Sequence, residues 1–153
     1  MKKLFYLLAV TLVLISCGPN EPRKLNRRII DLEIDQKEWT YSDVANNNYF
    51  TARFKMDEIT KDVYDNATIT VYREWNTGSS RATQMQLPYV RQVEEYVEDA
   101  ENPDNSAWVF FTETVDYEYG IGWMDFTYRV SDFLYEINYY EPETMHFRVV
   151  ILW

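Results

Sequence analysis

The stretch Trp108-Val109-Phe110-Phe111-Thr112-Glu113-Thr114-Val115-Asp116-Tyr117-Glu118-Tyr119-Gly120-Ile121-Gly122-Trp123-Met124-Asp125-Phe126-Thr127-Tyr128-Arg129-Val130 decides the fold class. In its first half Val109, Phe111, Val115, Tyr117 and Tyr119 share one face, with Glu113 as the odd member. Gly120-Ile121-Gly122 then breaks the run. Met124, Phe126, Tyr128 and Val130 follow on one face, opposed by Asp125, Thr127 and Arg129. A period of two is the spacing of a half-buried strand. Two such runs around Gly-x-Gly predict a β-hairpin, because tight turns need the positive φ that glycine adopts freely.

The same period recurs in both directions from this hairpin. Met145, Phe147, Val149, Ile151 and Trp153 alternate with His146 and Arg148. Ile69 and Val71 oppose Thr68, Thr70 and Tyr72. Phe50, Ala52, Phe54 and Met56 oppose Thr51, Arg53 and Lys55, and Ile30, Leu32 and Ile34 oppose Asp31 and Glu33. Residues 89–98 fit either a helical stripe or a strand. The loop composition of 99–106 and the strand after it favour a strand–loop–strand hairpin. Residues 57–66 predict one short helical turn, capped by Asp57, with Ile59 and Val63 on one side. Pro88 follows a polar strand over 81–87, which it should bend or confine to an edge. Strands this frequent, without a long helical pattern, point to an all-β domain. The expected fold is a single antiparallel β-sandwich, immunoglobulin-like or jelly-roll-like.

Composition bounds the function. The chain has 153 residues, one Cys, one His and a formal charge of −10. That length makes one domain with one core. A single Cys excludes a disulfide framework and a Cys-rich zinc site. An acidic chain lacks the positive face that nucleic acid requires.

The amino terminus reads as an address. Lys2 and Lys3 precede an apolar run over 4–15 that is broken only by Thr11. Such a run is a secretory signal and is too short to span a bilayer as a helix. Leu14-Ile15-Ser16-Cys17 resembles a bacterial lipobox, in which Cys17 receives a diacylglyceryl group and becomes the first mature residue. Two or more acyl chains anchor a protein stably. The expected organisation is a signal over 1–16, a lipidated Cys17 and tether over 17–28, and a β domain over 29–153. Loss of residues 1–16 removes two lysines, leaving 13 basic against 25 acidic residues, a charge of −12. The protein is expected in the cell envelope, lipid-anchored in the outer membrane, with its face left open. The tether's Arg23, Lys24, Arg27 and Arg28 could sit near lipid headgroups.

The chain resembles a group of small bacterial envelope lipoproteins of unknown function with an all-β domain. The matching stretches are Asp57-Glu58-Ile59-Thr60-Lys61-Asp62-Val63 leading into Ala67-Thr68-Ile69-Thr70-Val71-Tyr72, then Leu87-Pro88-Tyr89, Tyr117-Glu118-Tyr119-Gly120, and Met145-His146-Phe147-Arg148-Val149-Val150-Ile151. The resemblance covers most of 38–152. It implies a fold and a lipid anchor, and it implies no catalytic residue or cofactor.

Chemistry-bearing constellations are scarce. His146 is alone, which forbids multi-His metal sites. No Gly-x-Ser-x-Gly surrounds Ser42, Ser79, Ser80, Ser106 or Ser131. Glu94, Glu95 and Glu98, or Asp116 and Glu118, are the acid pairs that glycosidase chemistry would need, and a small sandwich offers them little cleft. Asp99, Glu101 and Asp104 sit with Asn102 and Asn105 in an oxygen-rich loop of the kind calcium takes. The loop lacks the EF-hand spacing and its central Gly, and Pro103 interrupts it, so a polar hairpin loop is the favoured reading.

The aromatics are the main lead. Trp75, Trp108, Trp123, Tyr139 and Tyr140 are the candidate surface for a ligand or partner, because not every ring fits one core. Trp108 and Trp123 alternate with apolar residues of the opposite face, which places them outside or in a second layer. The expected role is non-catalytic binding or assembly, without a cofactor. The alternatives are a glycan-binding module using exposed Trp and Tyr, and a structural subunit that docks by strand addition.

Overall fold

The computed structural model describes residues 25–44, 47–97, 106–131 and 141–153. The signal segment, Cys17, the tether up to Lys24, Asp99, Glu101, Asp104, Tyr139 and Tyr140 lie outside the described residues. The strands are β1 (Arg27–Ile34), β2 (Thr40–Val44), β3 (Asn47–Met56), β4 (Thr68–Trp75), β5 (Thr83–Gln86), β6 (Tyr89–Val97), β7 (Ala107–Gly120), β8 (Gly122–Val130) and β9 (Met145–Leu152). A 3-10 turn (Gln36–Glu38) joins β1 to β2, and helix α1 (Lys61–Asn66) joins β3 to β4.

The strands form two antiparallel sheets, ordered β1-β9-β4-β5 and β2-β3-β8-β7-β6. The fold is an all-β sandwich. The hairpin around Gly120-Ile121-Gly122 is present as β7–β8, with Gly122 at φ +81°. Residues 89–97 are strand and pair with β7 from Tyr89↔Val115 to Val97↔Ala107, so the helical stripe is not used. Strand β5 is an edge strand, as the polar run before Pro88 required.

Burial follows the period of two. Strand β9, flanked by β1 and β4, alternates between buried and half-buried residues along its whole length. Its Met145, Phe147, Val149 and Ile151 face Phe50, Ala52 and Met56 of β3 and Met124, Phe126, Tyr128 and Val130 of β8 in one core. Phe126 and Phe147 meet across the two sheets with ring centroids 4.5 Å apart. Tyr117 also crosses the gap, its hydroxyl donating to the Ile69 carbonyl at 3.1 Å.

Two sequence readings are corrected. Thr60, not Asp57, caps α1: its hydroxyl accepts from the Val63 amide at 3.3 Å. Asp57 instead takes the Lys55 ammonium at 2.8 Å, and the chain turns at Met56–Ile59 before the helix starts. Ile59 and Val63 are both buried, as their spacing implied. The boundary expected at position 28 also falls inside a strand. Arg27 and Arg28 belong to β1, held by backbone pairing to β9, by mutual bonds between Asn26 and Trp153, and by an Arg28–Glu58 ion pair. Basic residues suit this edge strand, where charge discourages unwanted pairing.

The molecule has two distinct ends. Arg27, Leu152, Thr68, Met56 and Gly122 lie at the end where the chain enters, the near end, linked through α1 and the Gly122 amide bond to Ile59. At the far end β7 outruns β8, whose last pair is Val130 with Glu113. Among the described residues, 107–111 of β7 have β6 as their strand partner and form with it a two-stranded arm, while Thr112 still bonds Ser131 just past β8.

Candidate functional site

The three candidate aromatics among the described residues, Trp75, Trp108 and Trp123, do not share one surface. Trp75 has the same parity as Ile69 and Val71, and its ring packs edge-on against Tyr89 at 5.1 Å. Trp123 lies on the outer face of β8, half-buried beneath the Arg53 guanidinium at 4.6 Å, while Arg53 is paired with Asp125. A Cβ on Gly120 would come within 2.6 Å of the Trp123 ring, so that glycine makes room for it. Trp108 is 59% exposed on the arm. Trp123 pairs with Gly120, twelve residues along β7 from Trp108, or ~40 Å at ~3.3 Å per residue. One flat platform of Trp75, Trp108 and Trp123 is therefore not formed.

Trp108 has other neighbours. Tyr96 lies directly opposite it on β6, with ring centroids 5.3 Å apart at an interplanar angle of 58°. Phe110, on the same outer face, is 53% exposed. Tyr96, Trp108 and Phe110 form an exposed aromatic corner at the far end. A contiguous group of exposed aromatics is a feature common at binding surfaces. The register of β6 against β7 was needed to bring Tyr96 beside Trp108 and Phe110, since alternation within a strand does not say which residue lies opposite.

A second feature lies inside. Arg73 continues the inward parity of Ile69 and Val71, and Glu113 sits inward between Phe111 and Val115. Their side chains are 2% and 4% exposed and meet across the sandwich at 2.8 Å. Arg91, opposite Glu113 on β6, binds the other carboxylate oxygen at 2.7 Å. Glu143 takes the second Arg73 nitrogen at 2.9 Å. The Arg73 guanidinium also lies 4.6 Å from the Trp75 ring and 5.4 Å from Tyr89. A buried charge is tolerated only when paired and hydrogen-bonded, and this quartet is internally neutral. It clamps β4 to β7 where an apolar pair would otherwise sit. Glu113 stood out in the sequence, but Arg73 did not, because the partner arrives from the other sheet.

The clamp sets the environment of its neighbours. Burial, with Glu113 nearby, pushes the Tyr128 phenol above its ordinary value of 10.0. Burial likewise raises Tyr89 and Tyr117. A phenol whose folded pKa is raised contributes stability that is complete below its unfolded value and is lost as pH rises through the folded one. An alkaline titration should therefore show three tyrosines lagging behind the ordinary phenol range, and then unfolding as they ionise. Phenolate absorbance and circular dichroism, recorded together, check this; three phenols titrating normally in the folded protein would contradict it.

His146 pairs across the strand with Glu33, its Nδ1 3.4 Å from the carboxylate, on the half-buried outer face of β9. Asp116 and Glu118 lie on the outer face of β7 beside a cavity of about 570 Å³ near α1. Among the described residues no group of three His, Cys, Asp or Glu is placed to hold a metal ion. No helix among them is long and apolar enough to cross a membrane.

Scans against protein-family models, curated proteins and solved structures return no match to this chain.

Proposed function

We propose that this chain is a lipid-anchored, non-catalytic binding module of the cell envelope, held in the outer membrane through Cys17 and engaging a protein partner with the Tyr96–Trp108–Phe110 corner. The carrying observation is the exposure of Trp108 and Phe110 on the outer face of the β6–β7 pair, 59% and 53%. Its position supports the reading, because the chain enters at the near end and the corner lies at the far end. A lipid before the tether would leave the corner pointing away from the membrane. Exposed aromatic anchors dominate affinity at protein interfaces. The 58° tilt between Tyr96 and Trp108 favours a protein partner over a sugar ring, which stacks on a flat platform.

Trp108→Ala with Phe110→Ala should cost folding no more than about 1.5 kcal/mol, since both side chains are exposed and the main loss is the cross-strand Tyr96–Trp108 pair. The same pair should weaken binding of the envelope partner by about tenfold or more, the loss of a ~2 kcal/mol hot spot. Unchanged binding by a folded double variant sinks the corner reading. A glycan array bound by the parent and not by the variant would move the assignment to a glycan. The anchor is checked separately: labelled palmitate should enter the parent chain, and label retained in Cys17→Ser would refute lipidation at that residue.

A further inference from the structure

At the near end β7 also outruns its other neighbour. Strand β6 begins at Tyr89, opposite Val115. Residues 116–120 therefore pair with β8 on one side and with no strand on the other, among the described residues. The Tyr117 amide donates to the Asp116 carboxylate at 2.7 Å instead of to a strand. The chain before β6 cannot close this gap. Pro88 has no N–H to offer, and Leu87 turns to the other sheet, donating to the Val71 carbonyl at 2.9 Å. The space beside the open edge is the cavity of about 570 Å³, lined by Tyr64, Leu87, Pro88 and residues 116–119.

Alternation divides this lining by chemistry. Tyr117 and Tyr119 point to the inner face with nearly parallel rings, 16° apart, and Tyr64 of α1 meets Tyr119 edge-on at 6.0 Å. Asp116 and Glu118 point to the outer face. No basic side chain lines the cavity. Arg53, whose charge Glu118 also feels, gives its hydrogen bonds to Asp125.

We infer that this open edge of β7 receives a strand from a partner protein whose side chains alternate between apolar and basic. An added strand would continue the line of β6. Its inward residues would pack on Tyr64, Tyr117 and Tyr119, and its outward residues would stand opposite Asp116 and Glu118. In such docking, main-chain bonds supply affinity and alternate side chains supply specificity. Opposite charges across strands stabilise and like charges destabilise, so a basic outward set fits and an acidic one does not. The open length takes about five residues, ~17 Å at ~3.4 Å per residue. This seat lies at the opposite end from the aromatic corner, so a variant at one end leaves the other intact.

The probe is a labelled nine-residue peptide alternating valine and lysine, titrated by fluorescence anisotropy into the full chain in neutral detergent. Saturable binding is expected, with at least tenfold protection of the Tyr119 amide from hydrogen exchange. Replacing the peptide's lysines by glutamate should weaken binding at least tenfold, as should Asp116→Asn with Glu118→Gln. Added salt should weaken it too, because exposed ion pairs are screened. Trp108→Ala should bind as the parent does, which separates this site from the corner. Absence of binding, equal binding of the glutamate peptide, or an equal loss on Glu33→Gln with Glu94→Gln would each overturn the inference. The last result would mean only general attraction to an acidic protein.

Discussion

Glu113→Ala should destabilise the domain by about 3–5 kcal/mol, because it leaves the Arg73 charge inside the sandwich without its main partner. Arg73 and Glu113 are each almost fully enclosed, and their bond joins β4 of one sheet to β7 of the other. Glu143 cannot replace Glu113, since its side chain is 70% exposed and already binds a different Arg73 nitrogen. Against a typical total of about 5–15 kcal/mol, such a loss removes a large share of the stability. The pair is not thereby the most stable filling of that space. Replacing both partners, Arg73→Met with Glu113→Leu, should recover most of the loss or exceed the parent, because two charges no longer need to leave water. Denaturant unfolding of the parent, Arg73→Met, Glu113→Leu and the double variant closes the cycle, with Glu113→Ala measured beside them. A Glu113→Ala loss below about 1 kcal/mol would show that the clamp is not enclosed as described.

Phe126→Ala should cost about 3–5 kcal/mol through lost apolar transfer and the cavity left behind. The ring is fully buried, 4.5 Å from Phe147 of the other sheet and 6.0 Å from Phe54 of its own. It therefore touches both layers, and its removal opens the gap the sandwich closes. Phe126→Leu keeps most of the volume and should cost under about 1.5 kcal/mol. The two midpoints in denaturant check the prediction, and an equal small cost for both would place Phe126 outside the core.

The sequence carried local information well and partnerships poorly. Alternation alone showed which residues share a face, and Gly120-Ile121-Gly122 marked the turn because a positive φ is a property of the backbone there. The parity of Trp108 placed it outside, and the same rule applied to Ile69 and Val71 would have carried Arg73 and Trp75 inside. The cap of α1 was misread because Asp57 and Thr60 are both competent caps, and only the position of Lys55 shows that Asp57 is engaged elsewhere. The pairing of Arg27 with Leu152 joins the first and last described strands, and no periodicity signals it. Likewise, the corner depends on where β8 stops against β7, and the open edge on where β6 starts. Both follow from strand register, which two separate runs of alternation leave free.

The corner's role is tested most directly in living cells carrying the full chain with a photoreactive phenylalanine analogue at position 108. Illumination should give one discrete cross-linked product. The same analogue at position 114, on the same face of β7 but away from the corner, should give none. Products that are identical at positions 108 and 114, or absent from both, would contradict the assignment of the far-end aromatic corner as the partner surface.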